Sequence, residues 1–146
     1  MKIILNPNDK SKICESVLRD LPSWFGNENA VIQYINEVRE LTFFASESGF
    51  AALKTHNAYT AEIYVMGVYL TEHGKGYGRA LIERCETYCR EQKIEYLTVK
   101  TLAESRECED YKRTRLFYHA MGFKPLEVFK TYWDEDNPCL FMVKKI

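Results

Sequence analysis

An excess of charge of either sign is missing from this sequence: 20 Lys and Arg stand against 21 Asp and Glu, a net charge of −1. The pI is about 6.3. Basic residues are scattered among acidic ones, so no nucleic-acid-binding face is expected. Long apolar runs are missing too. Nothing approaches the roughly 18 residues of a membrane span, and the opening MKIILNPNDK lacks the longer apolar core of a secretory signal, so a soluble, cytoplasmic protein with no membrane partner is expected. There is no C-x-x-C pair among Cys14, Cys85, Cys89, Cys108 and Cys139. Cys85 and Cys89 share a helix face, but no His or further Cys lies at ligand spacing near them. Buried, reduced thiols and no metal site are the expectation. Repeats, low-complexity segments and linkers are absent as well. What is abundant is apolar: 46% of the 146 residues, enough for one compact domain over 1–146.

Glycine is scarce, yet three of the 7 fall at alternate positions, Gly74, Gly76 and Gly78. They lie inside the stretch Ala61 to Tyr88, which reads as a strand, a glycine-rich turn and a helix. Without Cβ atoms in the way, successive N–H groups converge where the helix exposes its partly positive end, a geometry that holds an anion, most often phosphate. The spacing excludes two common phosphate loops. A Walker loop needs G-x-x-x-x-G-K-S/T, and the dinucleotide fingerprint G-x-G-x-x-G has its third glycine one position later than Gly78.

The remaining chain alternates helical and strand periodicities. Met1 to Leu5 reads as a short strand stopped by Asn6-Pro7. Asp9 to Leu21 carries Ile13, Val17, Leu18 and Leu21 at helical spacing. Ser23 to Asn29 reads as a loop bearing Trp24 and Phe25, followed by a helix from Ala30 to Glu40. Leu41 to Ala45 and Phe50 to Lys54 form a hairpin around Ser46 to Gly49. Gly67 interrupts the strand Ala61 to Leu70, which marks a bulge, a close approach of a ligand, or simply close packing. After the turn, Leu81, Ile82, Cys85, Tyr88 and Cys89 form an inner helical stripe, with Arg79, Glu83, Glu86 and Arg90 outside. Tyr96 to Leu102 reads as a strand reached by a right-handed parallel crossover. Asp110 is the expected cap of a helix ending at Gly122-Phe123, and Leu126 to Tyr132 and Leu140 to Lys144 are the last strands.

Two segments carry a family likeness. His73-Gly74-Lys75-Gly76-Tyr77-Gly78 resembles motif A of the GNAT superfamily of N-acetyltransferases, Q/R-x-x-G-x-G/A, with His73 at the Gln or Arg position. Tyr111 to Phe123 (YKRTRLFYHAMGF) resembles its motif B, N-x-x-A-x-x-L/F-Y-x-x-x-G-F, with Tyr111 for Asn and Thr114 for Ala. The closing Trp133 and Asn137-Pro138-Cys139 are similar to an abundant bacterial branch of the superfamily. The likeness covers Ala61 to the C-terminus, and the two motifs stand in order with a strand between them.

The resemblance implies an α/β fold: a mixed, mostly antiparallel seven-stranded sheet with helices on both faces and splayed central strands. It implies transfer of an acetyl group from acetyl-CoA to a primary amine of a small molecule or peptide by direct attack, with no acyl-enzyme. Backbone amides from His73 through Gly74, Lys75, Gly76, Tyr77, Gly78 and Arg79 would hold the coenzyme A pyrophosphate. Main chain at Met66, Gly67 and Val68 would stabilise the oxyanion, and Tyr118, with a phenol pKa of about 10, would protonate the leaving thiolate. Glu62 stands eleven residues ahead of His73 in an Ala-Glu-Ile run like that of the superfamily's histone acetyltransferases, so it is the candidate base. The alternative is a solvated strand charge with a water chain doing that work. No histidine is assigned to catalysis. Trp24, Phe25, Tyr34, Tyr132 and Trp133, with Glu28, Glu37 or Asp134, are candidates to wall the amine, or else complete the core. A homodimer is permitted. A binding module that senses acyl-CoA without turnover, and transfer of a longer acyl chain, are the other readings.

Overall fold

The computed structural model describes residues 1–146. Seven strands and four α-helices follow the chain: β1 (Lys2–Ile3), α1 (Pro7–Arg19), α2 (Glu28–Glu37), β2 (Thr42–Ser46), β3 (Gly49–Thr55), β4 (Thr60–Val68), α3 (Tyr77–Glu91), β5 (Tyr96–Leu102), α4 (Glu109–Ala120), β6 (Lys124–Asp134) and β7 (Asn137–Lys145). The sheet order is β1-β2-β3-β4-β5-β7-β6. It is mixed and mostly antiparallel with one parallel pair, as expected from the sequence. No helix is long and apolar enough to cross a membrane. The chain packs as two compact units, Met1–Lys54 with Ile63–Tyr88, and Thr55–Glu62 with Cys89–Ile146.

In the first unit, β2 and β3 pair antiparallel around a tight turn, with Phe44 opposite Ala51 and Phe43 opposite Ala52. Strand alternation sends these two phenylalanines to opposite faces. Phe43 stacks on Phe50 at 5.0 Å and joins Cys14, Val17 and Leu18 of α1 and Val31 of α2 in one buried cluster. Phe44 instead meets α3, edge-on to Tyr88 at 5.8 Å and beneath the Arg84 guanidinium at 4.4 Å. Each such burial contributes about 1.5–3 kcal/mol, and together they hold helices against both faces of the strands. Lys10 is buried, and its ammonium donates to the Leu41 carbonyl at 2.6 Å, closing the end of the 3-10 turn Val38–Glu40.

In the second unit, β5 and β6 both pair antiparallel with β7, Lys100 lying opposite Phe141. Leu97, Val99, Phe123, Cys139 and Met142 are buried. Tyr118 of α4 meets Phe123 edge-on at 5.6 Å. Gly122, at φ +98°, ends α4 in the left-handed conformation, and Lys144 donates to the carbonyl of Met121 at 2.6 Å. A cation at a helix C-terminus also complements the helix dipole.

Several elements differ from expectation. Asn6 and Pro7 open α1 rather than only ending a strand: the Asn6 side chain accepts from the amides of Asn8 and Asp9, and proline stands in the first turn, where no donor is needed. α2 starts at Glu28 because Asn27 caps it. α4 starts at Glu109 with Cys108, not Asp110, at its N-cap. Glu86, expected on the outer side of α3, is buried. β6 and β7 run further toward each other than expected, leaving only Glu135 and Asp136 between them. Pro125 is tolerated there because β6 is an edge strand.

Candidate active site

The glycine turn is built from the end of β4 onward. The Tyr69 amide donates to the Ser48 carbonyl at 2.9 Å and the Leu70 amide to the Asp20 carboxylate at 2.8 Å. A 3-10 turn, Leu70–Glu72, follows, closed by His73 N–H on the Leu70 carbonyl at 3.2 Å. Gly74 and Gly76 then take φ values of +76° and +89°, a region costly to any residue with a Cβ. The first bond of α3 is Ala80 N–H to the Gly76 carbonyl at 3.1 Å. The amides between, from Gly74 to Arg79, have no acceptor in the protein. Such orphan donors are normal at a helix start; here two left-handed glycines turn the chain within the row, and nothing lies within 4 Å of where a Cβ at either would sit. Donor type, exposure and helix polarity fit a diphosphate. Lys75 and Arg79 are exposed beside the turn, Lys75 paired with Glu72 at 3.0 Å, and Tyr77 and Gly78 open the helix.

His73 contributes differently from a flexible Gln or Arg. Its Nε2–H donates to the Val68 carbonyl at 2.6 Å, and its ring meets Trp24 edge-on at 5.5 Å. The side chain therefore braces the turn against the end of β4. At Gly67 an added Cβ would lie 2.8 Å from Cγ1 of Val17 and 3.3 Å from Cδ1 of Leu21. Close packing of α1 accounts for that glycine. Its neighbour Met66 is half-buried, and Val68 is buried. Gly49 carries a constraint the sequence did not signal: a Cβ there would meet the carbonyl oxygen of Gly67 at 2.2 Å.

In the same unit Phe25, Tyr34 and Tyr64 form a chain of edge-on rings, at 6.1 Å and then 5.4 Å. The Tyr64 hydroxyl donates to Glu37, and the Lys54 ammonium lies 5.5 Å from the Tyr64 ring centre. Tyr64 had no motif to single it out; its place in the strand, one ring across from Tyr34, is set by packing. Trp24 lies apart on His73. Glu28 is taken by Arg19 in a two-bonded pair at 2.9 Å.

The second unit contains Glu62, and it is not a solvated charge. The carboxylate is buried, with Oε1 2.7 Å from Nε2 of His56 and Oε2 2.8 Å from Nζ of Lys100. Lys100 lies 5.1 Å from the Tyr132 ring centre and 5.3 Å from that of Phe141. Burial lowers the Lys100 pKa, but the hydrogen bond and charge of Glu62, then Tyr132 and Cys139, more than offset it, so the ammonium is held above its ordinary value. Cys139 is pushed up to about 11, by burial first, with Lys100 opposing and Glu62 adding. A thiol so protonated is a poor nucleophile. Lys100 and His56 escaped the sequence because they stand 38 and 6 residues from Glu62 with no spacing rule joining them. Tyr132 and Trp133 lie side by side at 6.2 Å. Tyr118 is buried on α4. Burial, then the neighbouring Tyr118 and Cys108, raises the phenol pKa of Tyr111 above the ordinary tyrosine value.

Comparison with known proteins identifies the family. The family model described as acetyltransferase (GNAT) domain matches residues 38–125. A mycothiol acetyltransferase from Beutenbergia cavernae is 34% identical over 80 residues, covering 55% of this chain and 25% of that protein. The match thus spans about a quarter of the length of that relative. Among solved structures, a Desulfovibrio desulfuricans protein assigned to the GNAT family superposes with a TM-score of 0.79 at 19% identity, covering 99% of this chain and 96% of the other. An aminoglycoside 6'-N-acetyltransferase complexed with coenzyme A gives 0.72 at 14% identity, covering 99% and 97%. These likenesses show the fold, and the family match covers more than half of the sequence; the chain belongs to the GNAT acetyltransferase family.

Proposed function

We propose that this protein is an acetyl-CoA-dependent N-acetyltransferase acting on a primary amine of a small molecule or peptide. The observation that carries the reading is the row of amides from Gly74 to Arg79 without acceptors, turned by two left-handed glycines within it at a helix start. These amides, with Lys75 and Arg79, bind the diphosphate of the cosubstrate. When bound, acetyl-CoA supplies an acetyl group already activated as a thioester, so no covalent enzyme intermediate is needed. Main-chain N–H groups around Met66 to Val68 stabilise the oxyanion. The Tyr118 hydroxyl gives up its proton at the leaving sulfur, and the Glu62 cluster takes one from the amine. The coenzyme A of the aminoglycoside acetyltransferase and the amine acceptor in its name support both halves of the reading.

The test is release of coenzyme A thiol from acetyl-CoA with spermidine, kanamycin or a tripeptide with a free N-terminus. Amine-dependent release, with acetylated product by mass spectrometry, is expected. Tight acetyl-CoA binding by calorimetry with no acetylation of any of the three amines would replace the enzyme by an acyl-CoA-sensing module. No binding would remove both.

A further inference from the structure

The glutamate expected as the base has both oxygens already hydrogen-bonded, one of them to an ammonium, while the group on its other oxygen reaches solvent. Side-chain exposure rises from 5% at Glu62 to 37% at His56. Since a carboxylate oxygen only accepts, Nε2 of His56 carries the hydrogen, and in the neutral ring Nδ1 then keeps its lone pair. His56 is also held in place. Its amide donates to the Thr60 carbonyl at 2.9 Å, and the Asn57 side chain caps the turn by accepting from the amides of Tyr59 and Thr60 at 2.8 and 3.0 Å. The Tyr59 carbonyl is in turn bonded by the amides of Glu95 and Tyr96 at the start of β5. Such a turn fixes the main chain at His56, and the bond to Glu62 orients its ring, before any substrate arrives.

We infer that His56, oriented by Glu62, is the proton acceptor for the amine. This rests on the acetyl-transfer reading above and names its base. In the step, an N–H bond of the acceptor ammonium breaks and Nδ1–H forms; the amine keeps the electron pair with which it attacks the acetyl carbon. The imidazolium is stabilised by the adjacent carboxylate and returns its proton to water. The charged and titratable groups facing the pair are Lys100 on β5, with Tyr132 on β6 and Cys139 on β7 around Lys100. Lys100 balances the Glu62 charge, so that the three groups together are neutral before the proton arrives and carry one positive charge after it.

The experiment compares pH profiles of kcat and kcat/KM for wild type, His56→Gln, His56→Ala and Glu62→Gln, using whichever of spermidine, kanamycin or the tripeptide wild type acetylates fastest. Glutamine can still donate to Glu62 but accepts no proton near neutrality. His56→Gln should lower kcat by about 10²-fold or more, lose the acid limb of the profile, and keep the wild-type calorimetric affinity for acetyl-CoA. His56→Ala should be partly restored by added imidazole. A His56→Gln enzyme with wild-type kcat and an intact acid limb would overturn the inference while leaving acetyl transfer standing. So would loss of that limb in Glu62→Gln alone. If wild type acetylates none of the amines, the acetyl-transfer reading falls and this inference with it.

Discussion

Tyr118 and Glu62 show how differently two motif-bearing residues stand once folded. Both are buried, but Tyr118 sits among Phe117 and Phe123 whereas Glu62 sits in a ring of ionisable partners. Replacing Tyr118 by Phe keeps the packing and deletes one proton donor. We expect kcat to fall by about 10²-fold with little change in acetyl-CoA affinity; equal rates for the two proteins would take Tyr118 out of the mechanism. The thiols make a second prediction at this scale. Cys14, raised by burial and then the Glu15 charge to about 12, and Cys139, raised to about 11, should resist alkylation at pH 8. Half-buried Cys108 should label first by mass spectrometry; early labelling of Cys139 would contradict its burial beside Lys100.

At the scale of elements, the glycines separate binding from packing. Gly74 has open space around it but a left-handed backbone. Gly74→Ala should cost about 1–2 kcal/mol of local strain, and the turn should relax rather than the fold unravel. A calorimetric affinity for acetyl-CoA weakened about tenfold, with the melting temperature nearly unchanged, is the expected result. Gly67→Ala does the reverse at its own site: Val17 of α1 and Leu21 just beyond that helix stand where the methyl must go. Overpacking of this kind costs about 1–3 kcal/mol, to be read as a lower denaturation midpoint. Gly49→Ala should be worse, because the obstacle is backbone oxygen and not a side chain that can turn.

For the whole molecule, the raised thiols set an alkaline limit. Cys14 and Cys139 have folded values of about 12 and about 11 against an ordinary 9.0. The unfolded chain therefore loses these protons first, so stability from this source is complete below about pH 9 and falls as pH rises from 9 toward 11 and 12. Lys100, held above its ordinary 10.5, adds the same sign: its contribution is present below that value and is lost as pH rises through the folded one. Thermal unfolding should therefore show a midpoint lower by on the order of 5 °C at pH 10.5 than at pH 8. A flat midpoint over that range would mean that these thiols are not buried as described.

The sequence by itself determined the order of elements and the phosphate-turn signature, because each rests on local rules, helical and strand periodicity and glycine's access to positive φ; the sheet's mixed character came from the family resemblance that the spacing of motif letters carries. Local rules also misplaced what local competition decides, such as Cys108 in place of Asp110 at the start of α4. Only the tertiary structure decided what surrounds Glu62. His56 and Lys100 come from a turn and a strand that meet the carboxylate only after folding, and Val17 and Leu21 reach Gly67 the same way. Burial and electrostatic pairing depend on distance in space, and no periodicity along the chain encodes which distant side chain will close a given carboxylate.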